Sequence, residues 1–510
     1  MGYMIGIDVG TSGVKTLVVS ETGEIVTQAT AEYPLYHPKA GWAEQDPEDW
    51  WQGTLATLKQ VAQNLGPKAA EVKAIGLSGQ MHGSVFLDKS GNVLRPAILW
   101  CDVRTAEQCR YITEKAGGRE QLISHTSNPA LEGFTAPKIV WLQQNEPETY
   151  RQVDKVLLPK DYVRYRLTGE IFTEMSDAAG TVLLDVTNRR WSEAVLNALD
   201  ISPAIMPEVK EATDVCGTLT AAAAEATGLP AGIPVAGGGA DNACGATGAG
   251  IVRAGRVLSS IGSSGVILVH TDKPQTDPEG KVHTFNHAIP NKWYVMGVIM
   301  AAGLSLKWFR DNFAHMEKQM ESLTGTDAYD LMSQQAAQTP PGAEGLIFLP
   351  YLNGERTPHA DAFARGVFFG INPRHNRGHM IRSVMEGVVY ALRDSVEIIR
   401  GMGIPVEQVR AIGGGAKSPL WRQMQADIMQ LEVATLNVDE GPAFGAALLA
   451  GVAAGIYESV EEAAENTVRI THTTEPNTAL TGLYDDYYQL FRSLYPALKD
   501  RFREAARLEG

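Results

Sequence analysis

The sequence predicts an α/β protein built from two duplicated domains, and three observations lead to this prediction. GTSGV at residues 10–14 returns as GSSGV at residues 262–266, in the second half of the chain. Each copy lies between two β-rich runs, which is the pattern of a β-hairpin. The chain has 510 residues, more than one hydrophobic core usually organises. A loop that repeats in this setting indicates two copies of one α/β unit.

The first half is expected to open with three strands, one helix and a fourth strand. The helix covers residues 47–65 and begins at DPEDWW, where Asp46 suits the N-cap and Pro47 the first helical position. ETGE at 21–24 supplies a turn between the second and third strands. The four predicted strands are YMIGIDV (3–9), VKTLVVS (14–20), IVTQATAEY (25–33) and VKAIGLSG (72–79).

The second half repeats this opening. VRAIGGGAKS at 409–418 is an apolar strand that ends in glycines, and it resembles the earlier VKAIGLSG. The Gly- and Ala-rich segment GGGADNACGATGAG, near 237–250, is the expected seam. We therefore predict domains at 1–248 and 249–510. The other strands predicted here are RVLSSIG (256–262), VILVH (266–270), HTFNHAI (283–289) and WYVMGV (293–298).

Two later segments are predicted to be helices. GPAFGAALLAGVAAGIY at 441–457 is uncharged, but it is shorter than the ~20 apolar residues that span a bilayer, so a buried helix is expected. The C-terminal stretch 483–502 has apolar side chains at helical spacing and predicts a packing helix. These side chains are Leu483, Tyr487, Leu490, Phe491, Leu494 and Leu498.

Charge and cysteine content restrict the partners and the compartment. The net charge of −15 argues against binding to nucleic acid or to an anionic membrane. An anionic ligand remains compatible, because a local nest of backbone N–H groups binds phosphate even in an acidic protein. The four cysteines show no CxxC and no zinc-type spacing, which predicts free, buried thiols. The N-terminus has no signal-peptide pattern, so we expect a cytoplasmic protein.

The two glycine loops are candidate phosphate-binding turns. A turn of Gly, Ser and Thr between strands exposes backbone N–H groups that can hold phosphate oxygens. The alternative is an ordinary hairpin, which repetition at matching places disfavours. Other nucleotide motifs are missing: GGGAKS at 413–418 has Ala416 where a P-loop needs Gly, GxGxxG is absent at 6–15 and 237–242, and the protein-kinase motifs do not occur.

Two acidic residues complete the candidate site. Asp8 ends the first strand, immediately before the loop, where a carboxylate can hold Mg²⁺ directly or through water. Asp241 follows the apolar strand IPVAG, where a carboxylate can accept a proton from a substrate hydroxyl. Capping is the alternative role for both, of the turn for Asp8 and of the next helix for Asp241. Phosphoryl transfer needs charge neutralisation and an oriented nucleophile, which these two acids would supply.

Motifs along nearly the whole chain, roughly 3–500, resemble those of the FGGY carbohydrate kinases. They are IGIDVGTSGVK, GQMHG, DNACGATG, SIGSSGV, YLNGERTPH and IGGGAKSPLWRQMQAD, in the family's order. GFTAPKIVWLQQN at 133–145 also matches a family signature, with Lys138 and Trp141 in place. The resemblance implies an actin/hexokinase-like ATPase fold with two ribonuclease-H-like domains and a cleft between them.

The resemblance also implies a role for each candidate residue. Asp241 would be the general base, and Asp8 would lie beside Mg²⁺ and the phosphates. Met81 and His82 would contact the sugar, with Asn242 next to it. The residues implied for ATP are Thr11, Ser12, Gly262 and Ser263 at the phosphates and Gly414, Gly415 and Ser418 at the adenosine end.

The implied activity is transfer of the γ-phosphate of Mg-ATP to the terminal hydroxyl of a ketopentose. D-xylulose is the ketopentose expected first. GLSGQMHG at 76–83 and LLPKDYVRYRLTGE at 157–170 favour that branch of the family. The family's members are often dimers, so a homodimer is the assembly to test. Ser263 replaces a common Thr in the second loop, while Cys101 and Val103 depart from the pattern on the sugar side and concern substrate choice.

Three alternatives stay open at the level of sequence. The first is the same chemistry on D-ribulose, L-xylulose, glycerol or gluconate. The second is an ATP-driven machine of the chaperone or filament type, which would share the paired loops. The third is a sugar sensor without catalysis, which the presence of both acids disfavours.

Overall fold

The structure is a computed structural model that describes residues 2–508. The chain forms two compact units, each assembled from separate stretches of sequence. The predicted boundary after residue 248 stays a prediction. The first unit comprises the described chain up to Arg253, His270–Tyr294 and Glu440–Val468, and the second comprises Ala254–Val269, Val295–Asp439 and the chain from Arg469 onward.

The first unit is built on a mixed β-sheet. The first three strands in sequence form an antiparallel meander, and the strand after the first long helix pairs in parallel with the first strand. This arrangement confirms the predicted hairpin around the first glycine loop. The strands lie in the order Ile25–Glu32, Gly13–Ser20, Tyr3–Val9, Val72–Gly79, Pro234–Ala236 and Val215–Thr218.

A second large sheet repeats this topology. Its central strand is antiparallel to the next strand in sequence and parallel to a strand more than a hundred residues later, which in turn has a parallel neighbour. The five strands from Gly265–Thr271 to Ile470–Thr474 follow the same order and the same pairing directions as the five from Gly13–Ser20 to Val215–Thr218 in the first sheet. This match confirms a duplicated fold. Six of its strands lie in the order Trp293–Ile299, Gly265–Thr271, Gly255–Ile261, Val406–Gly413, Glu432–Leu436 and Ile470–Thr474.

Two helices pack on the first sheet. Pro47–Leu65 lies against the second and third strands, and Asp46 Oδ1 accepts the Glu48 N–H at 2.9 Å, which confirms the predicted N-cap. Gly441–Ala453 lies against the first and fourth strands and is buried, as predicted. A Cβ on Gly6 would lie only 1.9 Å from the carbonyl oxygen of Ala443, so this close approach requires glycine.

Further helices and strands complete the fold. The remaining α-helices are Ala106–Lys115, Arg119–Thr126, Thr135–Asn145, Pro147–Tyr150, Pro159–Thr168, Met175–Ala179, Glu193–Ala198, Ala221–Thr227, Asp241–Gly248, Gly303–Phe313, His315–Thr324, Ala328–Ala337, Arg377–Gly401, Gly414–Lys417, Pro419–Met429, Val460–Thr467 and Thr481–Leu508. The 3₁₀ helices are Gly66–Glu71, Pro203–Ile205, Pro341–Gly345 and Thr478–Leu480. The other strands are Glu44–Gln45, Val85–Leu87, Ala97–Ile98, Lys155–Leu157, Phe172–Glu174, Leu184–Asp185, Arg190–Trp191, Glu208–Lys210, Gly239–Ala240, His283–Asn286, Ile347–Leu349 and Val367–Phe369.

The C-terminal helix forms as predicted, and Phe491 and Leu494 are buried as expected, but the rest of its buried face differs from the prediction. Leu483 and Leu490 were expected in the core, yet they are 38% and 40% exposed. Tyrosines occupy the core instead, because their hydroxyls find buried carboxylates, as Tyr488 does at Asp394 with 2.7 Å between the oxygens. The buried side chains of this helix are Tyr484, Tyr488, Phe491, Leu494, Tyr495 and Phe502.

All four cysteines are free, in agreement with the sequence. Cys216 and Cys244 are buried as expected, whereas Cys101 and Cys109 are only half-buried, so the prediction of burial is wrong for those two. Among the helices of residues 2–508, none is long and apolar enough to cross a membrane.

Candidate active site

Asp8 lies at the end of the central strand of the first sheet. Its neighbours across the ladder are Lys15 on the antiparallel side and Ser78 on the parallel side. Burial raises the pKa of Asp8 to about 6, and the Ser78 hydroxyl and Lys15 partly offset the rise. Within residues 2–508, the buried Oδ1 of Asp8 has no hydrogen-bond partner. A buried carboxylate oxygen of this kind suits a hard cation.

The glycine loop that follows is closed by its own backbone and braced by side chains. The Gly10 N–H donates to the Gly13 carbonyl at 3.0 Å, so this bond closes the turn through main-chain atoms alone. Thr11 Oγ1 donates to Gln80 Oε1 at 3.1 Å and accepts from Trp100 Nε1 at 2.9 Å. These contacts hold the loop in one conformation beside the carboxylate.

Asp241 begins the helix Asp241–Gly248, directly after the short strand Gly239–Ala240. That strand pairs in parallel with Val72–Gly79, which also flanks Asp8. Burial and the negative charge of Asp8 together raise the pKa of Asp241 to about 7. The shared neighbouring strand thus brings the two predicted acids close enough to interact electrostatically.

The carboxylate of Asp241 is oriented by Asn242. Asp241 Oδ1 accepts from the Asn242 backbone N–H at 2.7 Å and from its Nδ2 at 2.9 Å. The N-cap of this helix is Ala240, so the alternative role of Asp241 as the helix cap is wrong. Asn242 Nδ2 also lies 3.6 Å from the sulfur of Met81. Three residues predicted for the sugar site therefore lie in one contact chain.

His82 follows Met81 and has an unusual backbone conformation. Its φ is 70°, a left-handed value that residues other than glycine rarely adopt. Its Nδ1 lies 2.7 Å from the carbonyl oxygen of Gly180, and its ring packs edge-on against Phe134 with 4.6 Å between the centroids. A carbonyl only accepts, so Nδ1 carries the hydrogen in this contact.

The second glycine loop lies in the second unit and is held by its carbonyls. The Gly262 carbonyl accepts the Gly303 N–H at 2.8 Å, and the Ser263 carbonyl accepts the Ala302 N–H at 2.9 Å. A Cβ on Gly303 would lie 2.4 Å from the Gly262 oxygen, so this approach requires glycine. Gly262 and Ser263 are both exposed, as a phosphate-binding turn must be.

The predicted adenosine residues follow a neighbouring strand of the same unit. Gly414 and Gly415 begin a short helix directly after the strand, and Gly414 is exposed. Gly415 is buried, and a Cβ there would lie 2.6 Å from the side chain of Ile261. Ser418 is the N-cap of the helix Pro419–Met429 and so has a structural role of its own.

The structure places each predicted residue at a strand end, in the loop that follows one, or at the start of a helix. In the first unit, Asp8 and Asp241 interact, while Asp241, Asn242 and Met81 lie in contact. The predicted residues of the second unit cluster around the ends of two paired strands. The sequence did not predict several contacts, because they join distant segments. These contacts are made by Ser78, Gln80, Trp100 and Gly180.

Comparison with known proteins places these features in a family. Residues 3–248 match the N-terminal domain of the FGGY family of carbohydrate kinases, and residues 257–454 match its C-terminal domain. A xylulose kinase of Bacillus subtilis is 46% identical over 500 residues, which cover 98% of each chain. A xylulose kinase of Escherichia coli is 42% identical over 496 residues, covering 97% of this chain and 99% of the other.

A solved structure gives the same result for the fold. The crystal structure of xylulose kinase from Rhodospirillum rubrum matches with a TM-score of 0.90 at 30% identity, covering 98% of this chain and 100% of that one. The duplicated sheets thus define a two-domain α/β kinase of the actin-like ATPase fold. The chain belongs to the FGGY family of carbohydrate kinases and is a phosphotransferase that uses ATP. The alternative of an ATP-driven machine is thereby excluded.

Proposed function

We propose that this chain is a xylulose kinase, which transfers the γ-phosphate of ATP to the 5-hydroxyl of D-xylulose and releases D-xylulose 5-phosphate and ADP. The observation that carries the proposal is the contact chain of Asp241, Asn242 and Met81, with Asp8 close enough to raise the pKa of Asp241. The full-length similarity to proteins named xylulose kinase supports the choice of sugar.

Asp241 is the general base in this proposal. Its pKa of about 7 lies near neutral pH, and a base transfers protons best when its pKa is close to the pH of the reaction. Asn242 orients the carboxylate, so that one oxygen is available to take the proton of the attacking hydroxyl. Met81 and His82 hold the sugar.

Asp8 is the residue that would hold Mg²⁺, directly or through water. The buried oxygen of Asp8 without a partner in the described chain fits a hard cation, which prefers carboxylate oxygens and retains water. Such an ion neutralises charge on the phosphates. Within residues 2–508 there is no group of three or more metal-binding side chains, so phosphate oxygens and water would complete the coordination.

The two glycine loops bind the phosphates of ATP in this proposal. Thr11 and Ser12 contribute from residues 1–248, the sugar-binding domain, and Gly262 and Ser263 from residues 249–510, the ATP-binding domain. Gly414, Gly415 and Ser418 receive the adenosine end. The family resemblance also supports a cytoplasmic location. It further supports a homodimer, and sedimentation at micromolar concentration would test that assembly.

The pH dependence of catalysis reports on Asp241. The deprotonated carboxylate is the active form, so kcat/KM should rise with pH and reach half its plateau near pH 7. Asp8 raises the pKa of Asp241, so D8N should shift the midpoint of the residual activity to lower pH. A rate profile from pH 5 to 9 tests both. A flat profile, or an alkaline shift in D8N, would contradict the assignment.

Gly180→Ala is expected to raise the KM for D-xylulose about tenfold, because displacement of a binding group weakens substrate positioning. Gly180 has φ of −75°, which alanine tolerates, but its Cβ would lie 2.7 Å from Nδ1 of His82. Gly401→Ala is the matched control, since nothing lies within 4 Å of a Cβ there. Equal KM values for both variants would remove His82 from the sugar site.

The proposed function is tested by ADP release from Mg-ATP with a panel of acceptors: D-xylulose, D-ribulose, L-xylulose, L-ribulose, glycerol, gluconate and no sugar. Strong dependence on D-xylulose is expected. Preference for another acceptor would keep the kinase chemistry and correct the sugar. Equal release in every tube, including the one without sugar, would overturn the proposal.

A further inference from the structure

The main-chain carbonyl of His82 is held by two side chains from a distant helix. Thr135 Oγ1 donates to this oxygen at 3.1 Å, and Lys138 Nζ donates to it at 3.0 Å. Both side chains come from the helix Thr135–Asn145, and both residues are fully buried. The left-handed backbone of His82 is therefore fixed from a segment more than fifty residues away.

Lys138 is an unusual residue for this position. Its Nζ also donates to the carbonyl oxygen of Gly133 at 2.5 Å, so two main-chain oxygens surround the amine. Burial lowers the pKa of Lys138 to about 7, against the opposing effect of Asp102. A buried amine carries a large desolvation cost unless it is hydrogen-bonded, and an apolar side chain of similar volume would avoid that cost. Its presence indicates that these two hydrogen bonds matter.

The same helix start is also tied to the loop that holds the ring of His82. The Ala136 N–H donates to the Thr181 carbonyl at 2.9 Å, and the neighbouring Gly180 carbonyl accepts from His82 Nδ1 at 2.7 Å. Three segments are thus joined pairwise: residues 81–83, the start of the helix and residues 180–181. This closed arrangement fixes both the backbone and the ring of His82.

We propose that Lys138 and Thr135 are positioning residues for sugar binding, because they lock the His82 backbone in the conformation that presents its ring to the sugar. The inference rests on the proposed function, in which Met81 and His82 contact D-xylulose. Neither side chain contacts ATP or the transferred phosphate in this scheme. Their loss should therefore weaken the binding of the sugar and leave the binding of the nucleotide unchanged.

The sharper test uses Thr135, whose hydroxyl is not a helix cap. T135V removes one donor and should raise the KM for D-xylulose about threefold, while T135S keeps the donor and restores it. T227V is the matched control, because Thr227 is equally buried and its hydroxyl donates to a helix carbonyl, that of Ala223, at 2.8 Å. The KM for ATP should stay within about twofold in all three variants.

Lys138→Met gives the larger effect, with an expected rise of about tenfold in the KM for D-xylulose. A merely structural role would lower the amount of active enzyme and so Vmax, with both KM values unchanged. If K138M fails to fold, the comparison of T135V with T135S decides. If D-xylulose does not saturate the wild-type enzyme, the proposed function is overturned. Normal wild-type saturation with unchanged sugar KM in the variants would overturn only this inference.

Discussion

Asp241→Asn is expected to lower kcat by about a hundredfold or more, while the affinity for ATP stays near that of the wild type. The amide cannot accept the proton of the sugar hydroxyl, and general-base assistance is worth about 10²–10⁴-fold. Steady-state kinetics with saturating D-xylulose give kcat, and titration with nucleotide gives the affinity for ATP.

The control for this variant must separate chemistry from folding. Asp330→Asn makes the same atomic change at an exposed position of the second unit, and it should leave kcat unchanged. The midpoint temperature of thermal unfolding of D241N should equal that of the wild type or lie slightly above it, because the variant no longer buries a carboxylate beside Asp8. Near-normal turnover in D241N would exclude Asp241 as the base.

Asp8→Asn is expected to lower kcat about 10–100-fold and to raise the Mg²⁺ concentration needed for half-maximal rate. The change replaces a carboxylate by a neutral amide, which a hard cation binds poorly. Rates measured across a Mg²⁺ titration at fixed, saturating ATP and D-xylulose show both effects.

Excess Mg²⁺ provides the internal check on this assignment. Part of the activity lost in D8N should return at high Mg²⁺ if weak ion binding is the cause, whereas a distorted loop would not respond to the ion. Unchanged activity together with an unchanged Mg²⁺ dependence would show that Asp8 has no part in holding the metal.

The strand framework could be predicted from the sequence because its signals are local. The loop at Gly10–Gly13 lies between two runs with strand periodicity, and the structure has the hairpin there. Asp46 and Pro47 mark the start of the first long helix by the chemistry of the helix N-terminus alone. The duplication also follows from the sequence, since both halves carry the same order of strands and turns.

Side-chain register on the C-terminal helix was harder to predict. The periodic pattern favoured leucines such as Leu490, but the buried face is occupied by tyrosines such as Tyr488. A tyrosine is buried readily only where its hydroxyl meets a partner, here the carboxylate of Asp394, which lies 94 residues away. No local pattern contains that partner.

The candidate site shows the same division. Asp8 and Asp241 could be proposed from their positions at the end of an apolar strand or after one, but the effect of Asp8 on the pKa of Asp241 depends on the shared strand Val72–Gly79. The contacts that hold His82 come from Lys138 and other residues far along the chain. Such contacts depend on tertiary packing, which sequence periodicity does not encode.

The central claim is that this chain moves a phosphate from ATP to the 5-hydroxyl of D-xylulose, and identification of the product tests it most directly. The enzyme is incubated with Mg-ATP and D-xylulose, and the phosphorylated sugar is identified by phosphorus and proton NMR while ADP is quantified. The account predicts one D-xylulose 5-phosphate for each ADP. ADP accompanied by inorganic phosphate instead of a sugar phosphate would contradict it.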